Sequence, residues 1–271
     1  MDFEARPASC VPSSFIVGVW SYIQPTQTPE APVYLLNDIL DLDVDRQHHS
    51  KFRRPLASGQ LPIAVALGLI IALLALAFTL SVALSLKFAI VLTFYYIVTL
   101  SYSFALKQMA VIDALVLAGL YTLRIVGGFV GTEIVPSFWL VAFSLFMFLS
   151  LALLKRYSEL LAKRKTGASG IAGRGYLVSD AELLSTLGIG SGLVACLIVA
   201  LYVHSEGVAL LYRHPEMLLG IIPLLIFWVA RAWMIAHRGE MNDDPIVFAI
   251  RDRASLIVIA VIGLIGALAS I

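Results

Sequence analysis

The stretch IAVALGLIIALLALAFTLSVAL, Ile63–Leu84, contains no charged residue, and it sets the architecture of the chain. A helix rises about 1.5 Å per residue, so a run of this length covers the roughly 30 Å hydrocarbon core of a bilayer. Six more predominantly apolar runs follow at 88–106, 112–130, 138–154, 187–203, 218–235 and 255–271. None shows the strict alternation of a membrane β-barrel strand. Helices satisfy every backbone polar group within their own segment, which lipid demands. The expected fold class is all-α integral membrane, a transmembrane helix bundle.

Composition agrees. Hydrophobic residues make up 60% of the 271 positions and charged residues 14%, with a mean hydropathy of +0.91. A soluble domain of this length needs more charge to cover its surface. The net charge of +1 is uninformative about partners, but the distribution of charge is not. Cys10 and Cys196 are far apart, with no zinc spacing, and are expected to be unpaired. The first residues lack the ordered basic, apolar and small-residue regions of a signal peptide.

The connections between runs alternate sharply. One set holds Arg46, Lys51, Arg53, Arg54, Lys107, Lys155, Arg156, Lys163, Arg164, Lys165, Arg174, Arg238, Arg251 and Arg253; the other holds only Lys87 and Arg213. Threading the seven spans in order places each set on its own side. The positive-inside bias makes the basic side cytoplasmic. A multi-pass protein of a bacterial inner membrane is expected, with its polar chemistry facing the cytoplasm. The segment 1–32 is atypical: 14–23 is apolar but too short to span, and Pro25-Thr-Gln-Thr-Pro-Glu30 interrupts it. Residues 33–271 form the expected transmembrane domain.

The apolar stretch 33–42 already carries polar residues, and with those just after it they are Asn37 and the acids Asp38, Asp41, Asp43 and Asp45. Asp38, Asp41 and Asp45 are spaced i, i+3, i+7, on one face of a helix, with Asn37 one turn before Asp41. Asp43 points off that face. Like charges at this spacing repel, and carboxylates beside lipid carry a desolvation cost. A hard cation relieves both, and Mg²⁺ takes oxygen ligands that it shares with substrate phosphates. Asp38, Asp41 and Asp45 are therefore candidate metal ligands, the alternative being a solvated acidic helix end. Arg54, in the basic loop that follows, is a candidate phosphate contact.

Other polar residues fall on the same side. Tyr102 and Lys107 end one span and Asp113 begins the next, although Lys107 could simply snorkel. Arg124 lies well inside a span, where a lone arginine usually faces a cavity or an acid, and Arg231 is similar but nearer the end. Lys155-Arg156-Tyr157-Ser158-Glu159 opens the next loop. Lys155 and Glu159, one turn apart, could form a helix pair or, with Arg156 and Tyr157, meet an anionic substrate. Ser179-Asp180-Ala181-Glu182 fits a capping box, and Asp243-Asp244-Pro245 an N-cap with Pro at the first helical position. Arg251-Asp252-Arg253 precedes the last span. Walker, nucleophile-elbow and zinc motifs are absent, and no aromatic-interleaved basic groove suggests nucleic acid.

Asn37-Asp38-x-x-Asp41-x-x-x-Asp45 followed by a basic loop resembles the first signature of the UbiA superfamily of membrane prenyltransferases, and Tyr102–Lys107 with Asp113 resembles its next loop. The likeness tightens toward the decaprenyl-phosphate phosphoribosyltransferase branch. It rests on Tyr34-Leu-Leu-Asn-Asp38, Arg54-Pro55, Tyr121-x-x-Arg124, Lys155-Arg156-Tyr157-x-Glu159 and Ala249-Ile-Arg-Asp-Arg253. The resemblance covers about residues 33–271. It implies a UbiA-like bundle, nine-helical in the family, with the N-terminal helix or helices missing or altered in this sequence. In place of a second aspartate-rich motif stands the Lys155–Glu159 segment.

The activity implied is Mg²⁺-dependent displacement of pyrophosphate at a cytoplasm-facing site. Asp38, Asp41 and Asp45 would hold the metal, with Lys107 and Arg124 also catalytic. Asn37, Arg54, Tyr102, Lys155, Arg156, Tyr157, Glu159, Asp252 and Arg253 would bind substrate. The partners implied are a polyprenyl lipid within the membrane and a phosphorylated or pyrophosphate donor, with no nucleic acid. Phosphoribosyl transfer from phosphoribosyl pyrophosphate to a polyprenyl phosphate is the leading expectation. Prenyl transfer from a prenyl diphosphate to an aromatic or other acceptor is the alternative. An inactive family member or a lipid transporter represents the other class, but a transporter favours midplane charges and internal repeats that are not evident here.

Overall fold

The computed structural model describes Leu35, Leu36, Asp38, Ile39, Leu42, Arg46 and residues 54–271 other than 168, 172, 242 and 243. Asn37, Asp41, Asp43, Asp45, Cys10 and the segment 1–32 lie outside the described residues. Among the described residues, seven helices are long and apolar enough to cross a bilayer. They are α1 (Ile63–Leu84), α2 (Leu86–Phe104), α3 (Ile112–Gly131), α4 (Phe138–Lys165), α5 (Ala181–Val203), α7 (Ile221–His237) and α9 (Arg253–Ser270), with short α6 (Glu206–Leu211) and α8 (Pro245–Arg251) between the later spans. An isolated antiparallel bridge pairs Gly170 with Leu177. The chain divides into two units, Met1–Leu100 and Ser101–Ile271.

In the first unit, Leu35, Leu56, Leu61, Ala66 and Ile70 form a buried cluster against which Leu36, Ile39 and Leu42 pack. Leu35, Ile39 and Leu42 are spaced i, i+4, i+7, so one helical stripe makes these contacts. Pro62, with no N–H to lose, precedes α1. Only Ser85, in extended backbone, separates α1 from α2. Hydroxyls inside the spans are satisfied locally: Thr79, Thr93 and Thr99 each donate to the carbonyl four residues earlier, at 2.7 Å. Such back-bonding lets a polar residue face lipid without an orphan donor.

In the second unit, small residues set the packing. A Cβ added at Gly188 would stand 2.2 Å from Cζ2 of Trp233, and one at Gly192 would stand 2.6 Å from Cγ1 of Val229. These glycines, one turn apart on α5, let it approach α4 and α7 closely. Interhelical hydrogen bonds reinforce the contact: Ser191 Oγ donates to the Phe146 carbonyl at 2.8 Å, and Trp233 Nε1 to Ser150 Oγ at 3.1 Å. Cys196 is a buried, free thiol in this core, as its apolar setting suggested.

Two sequence expectations need correction. The apolar run 138–154 was expected to give way to a loop, but α4 continues to Lys165 over 28 residues. At 1.5 Å per residue this is about 42 Å, well beyond the hydrocarbon core. Its last turns, rich in Leu, Lys, Arg and Glu with no Gly or Pro until Gly167, remain helical past the end of the apolar run. Hydrophobicity marks the membrane edge, not the helix end. Likewise the capping box expected at Ser179–Glu182 does not form. A 3₁₀ turn spans Val178–Asp180, and the Asp180 carboxylate accepts from the Leu177 backbone N–H at 2.8 Å. The helical path thus starts one turn earlier than the box required. Pro245 does open α8, directly after Asp244.

Candidate functional site

The acidic helix end is represented among the described residues by Asp38. Its neighbours Leu35 and Ile39 anchor its helix to the apolar cluster, which leaves Asp38 itself 7% exposed. Arg54 Nη1 donates to its Oδ1 at 2.6 Å. A carboxylate held by a guanidinium offers the hard oxygen donors that Mg²⁺ takes. No group of three His, Cys, Asp or Glu suited to a metal occurs among the described residues. Mg²⁺ needs fewer, because one or two carboxylates complete a shell filled by substrate phosphates. Asp38 fits that role. Asn37, Asp41 and Asp45, expected beside it, lie outside the described residues.

The second unit builds a denser polar cluster around Asp113, the second residue of α3 and fully buried at 0% exposure. Tyr102, from the end of α2, donates its hydroxyl to Asp113 Oδ1 at 2.8 Å. Arg156, from the extension of α4, donates Nε to Oδ2 at 2.5 Å. Arg174, from the α4–α5 connection, donates Nη1 to Oδ1 at 2.9 Å and to the Tyr102 oxygen at 3.3 Å. The other side of Arg156 faces Glu159, whose Oε2 accepts from Nη1 at 2.7 Å. One carboxylate therefore ties three separate segments together.

Backbone strain is stored beside this cluster. Val111, just before α3, has φ +67°, a left-handed conformation disfavoured for a β-branched residue. The Tyr176 hydroxyl accepts from the Val111 N–H at 3.0 Å and holds the turn. Burial pushes the Tyr176 phenol above its ordinary pKa, with the Asp113 charge adding to the effect, so the hydroxyl stays neutral.

The remaining sequence candidates divide into buried and half-exposed groups. Arg156 is 1% exposed, so its charge is spent on Asp113 and Glu159. Tyr157 is buried too: its hydroxyl meets His237 Nδ1 at 2.8 Å and its ring lies 5.6 Å from that of Trp233. The Lys155–Glu159 helix pair does not form. Lys155 instead pairs with Asp244 before α8, because Arg156, on the turn below, claims Glu159. The Lys155 side chain stays 40% exposed. Lys107 lies half-exposed in a 3₁₀ turn, Leu106–Gln108. Arg124 stacks its guanidinium 4.7 Å from the Tyr121 ring centroid. Asp252 caps α9 by accepting from Ser255 N–H at 2.8 Å, and Arg231 grips both its oxygens at 2.6 and 3.0 Å. Burial raises the Asp252 carboxyl pKa, but the Arg231 and Ser255 hydrogen bonds outweigh it and hold the group below the usual carboxylate range. Arg253 is exposed.

Sequence reasoning placed Arg231 opposite a cavity or an acid, and Asp252 is that acid. It named Asp113 and Asp244 without finding the partner of either, and it gave Arg174 and Tyr176 no part in a site. The available signal was Asp113 itself, a carboxylate at the mouth of an apolar span, which calls for a cation. An apolar cavity of about 450 Å³ lined by Trp139, Phe143, Tyr202, Leu225 and Ile262 lies at the opposite ends of α4, α5, α7 and α9 and is not part of this cluster.

Fold and site together define an integral membrane protein of transmembrane helices, with buried acid–guanidinium clusters where the spans meet the polar phase. The chain belongs to the UbiA prenyltransferase family, whose sequence model matches residues 30–268. It is 40% identical over 231 residues to the protein y4nM of Sinorhizobium fredii, covering 84% of this chain and 45% of that protein. It is 32% identical over 231 residues to nodulation protein NoeC of Azorhizobium caulinodans, covering 84% and 74%. Over 138 residues it is 38% identical to decaprenyl-phosphate phosphoribosyltransferase of Corynebacterium glutamicum, covering 50% and 42%. The chain thus spans under half the length of two of these three relatives. A UbiA homolog from Archaeoglobus fulgidus, solved bound to GPP and Mg²⁺, superimposes with a TM-score of 0.65 at 19% identity, over 95% of this chain and 88% of that one. That likeness establishes the fold.

Proposed function

We propose that this chain is a Mg²⁺-dependent membrane transferase that displaces pyrophosphate from an activated carbon at a cytoplasm-facing site. The favoured reaction is phosphoribosyl transfer from phosphoribosyl pyrophosphate to a polyprenyl phosphate. The observation that carries this choice is the 38% identity to a decaprenyl-phosphate phosphoribosyltransferase, in a chain whose family is otherwise defined by prenyl transfer. In the reaction, a phosphate oxygen of the lipid attacks the anomeric carbon of the sugar, the bond to pyrophosphate breaks, and pyrophosphate leaves.

Asp38, with Asp41 and Asp45 as the further carboxylates of the motif, would hold the cation. Bound Mg²⁺ supplies neutralisation of the charge that builds on the leaving pyrophosphate. Arg54 compensates the Asp38 carboxylate in the absence of other cations and is suited to donor phosphate. Lys155, half-exposed, supplies positive charge to an anionic donor, and Lys107 and Arg124 remain candidate electrostatic contributors. Asn37, Tyr102, Glu159 and Arg253 are candidate substrate contacts. Arg156, Tyr157 and Asp252 act at one remove: their buried contacts fix the α4 extension and the start of α9, so that neighbouring exposed groups keep their positions.

The second reading is transfer of a prenyl group from a prenyl diphosphate: the carbon–oxygen bond breaks, pyrophosphate leaves, and an aromatic or other acceptor captures the allylic cation and loses a proton. The archaeal homolog bound to GPP and Mg²⁺ favours it. Purified protein in lipid nanodiscs, given labelled phosphoribosyl pyrophosphate, a polyprenyl phosphate and Mg²⁺, should yield lipid-linked label. Absence of that label alongside turnover of geranyl diphosphate with an acceptor would reverse the order of the two readings.

A further inference from the structure

Five cations near the ends of the spans are matched with acids. Arg54 meets Asp38, Lys155 meets Asp244, Arg156 meets Asp113 and Glu159, Arg174 meets Asp113, and Arg231 meets Asp252. One group of bases instead shares a cleft. Arg164 and Lys165, at the C-terminal end of α4, converge with His237 and Arg238, at the C-terminal end of α7, on a cleft of about 250 Å³. Leu161 and Gly239 complete its lining. No ion pair joins Arg164, Lys165, His237 or Arg238 to any carboxylate among the described residues; Glu240, just beyond the cleft, makes none with them either. Tyr157 engages His237 through Nδ1 and fixes the imidazole against α4.

Helix C-termini attract cations through their partial negative charge, and a basic flank is usual at this edge of a membrane. Either effect accounts for bases spread around the rim. Neither accounts for bases from two helices converging on a cleft where like charges repel. The close approach depends on Gly239: a Cβ there would lie 2.7 Å from Lys165 Nζ, and its φ of +72° suits glycine. The missing partner is an anion, and the position narrows its chemistry. Spans Phe138–Lys165 and Pro215–His237 both end at the cleft, with the apolar Leu161 in its lining. Basic pockets between transmembrane helices on the cytoplasmic side take phosphate headgroups.

We propose that the cleft formed by Arg164, Lys165, His237 and Arg238 is a phosphate-binding site for an anionic lipid headgroup, separate from the Asp113 cluster and independent of the reaction proposed above. A phosphodiester would accept from the guanidinium groups in a bidentate manner, while its acyl chains lie along the α4 and α7 surfaces. The same chemistry could be supplied from solution by pyrophosphate, and the two sources are separable by experiment.

Native mass spectrometry of the intact protein in detergent doped with phosphatidylglycerol or phosphatidylcholine reads the lipid arm. Titration with inorganic pyrophosphate, followed by isothermal calorimetry, reads the soluble arm. Wild type should retain phosphatidylglycerol in preference to phosphatidylcholine. The R164Q/R238Q double variant, both positions exposed and so tolerant of change, should bind it about 30-fold more weakly, each cation contributing roughly fivefold beside an anionic lipid. Lys163→Gln, an adjacent base outside the cleft, serves as the charge control and should leave binding within about twofold. Weakened pyrophosphate binding in the double variant, without a lipid preference, would support the same site with a soluble ligand. Unchanged binding of both probes in R164Q/R238Q, or an equal loss in Lys163→Gln, would overturn the proposal.

Discussion

Replacing Asp113 with Asn tests whether the polar cluster is a structural keystone. The substitution removes one negative charge and little volume. It leaves Arg156, 1% exposed, with Glu159 as its sole carboxylate partner, and releases Arg174, whose side chain is 27% exposed. Removing one member of a buried ion pair costs about 3–5 kcal/mol, because the stranded charge cannot be rehydrated. The remaining Glu159 contact places the effect at the lower end, about 3 kcal/mol. Arg174 adds little, since water reaches it. For a domain of this size each kcal/mol moves the melting temperature by about 2–4 °C, so Asp113→Asn should lose about 6–12 °C. Thermal unfolding in one fixed detergent, followed by size-exclusion fluorescence, measures it. The D113N/R156M double variant should recover at least half of the loss, because the stranded charge is gone. A single variant within about 2 °C of wild type, or a double variant no better than the single, would refute the buried-charge reasoning.

Further outcomes are expected elsewhere. Asp38→Asn should reduce transferase turnover by on the order of 10² or more with little loss of stability, as expected for a lost electrostatic contributor at the reacting centre; retained turnover would remove Asp38 from the metal site. Lys155→Gln should raise the KM for the pyrophosphate donor while shifting the melting temperature by under about 3 °C, because its pair with Asp244 is largely solvated and worth about 1 kcal/mol at most. Gly188→Leu should destabilise the bundle severely, by more than the roughly 1–3 kcal/mol typical of overpacking, because the new side chain meets Trp233 and Leu153 on two neighbouring helices. The Asp252 carboxyl has a folded pKa below its unfolded one, so its stabilisation is present above the unfolded value and lost as pH falls through the folded value. The melting-temperature gap between wild type and Asp252→Asn should therefore be full at neutral pH and close on acidification; a gap that persists at low pH would contradict the assignment.

The amino-acid sequence determined the membrane spans because lipid imposes a local rule: each helix must be long, apolar and internally hydrogen-bonded. Ile63–Leu84 was legible to the residue, and the position of Arg231 pointed to a cavity or an acid, of which the structure shows the acid. The Asp38 motif was readable as spacing on one helix, and the family match over residues 30–268 accords with the resemblance drawn from it. Helix ends beyond the bilayer were less legible. Once α4 leaves lipid, hydropathy falls while helix propensity does not, and the extension to Lys165 looks like a loop. The small residues at Gly188 and Gly192 were visible in the chain, but their partners Trp233 and Val229 lie on a helix some forty positions away.

What only the tertiary structure decided is the partnering of charge. Sequence grouped Lys155, Arg156, Tyr157 and Glu159 as one anion-binding set; packing turns Arg156 and Tyr157 into the bundle, gives Glu159 to Arg156, and leaves Lys155 toward Asp244. Asp113 gathers Tyr102, Arg156 and Arg174 from three separate segments. Nothing in the spacing of those residues encodes that meeting, because an ion pair depends on distance in space, and only the crossing of helices brings such distant positions within 3 Å of one another.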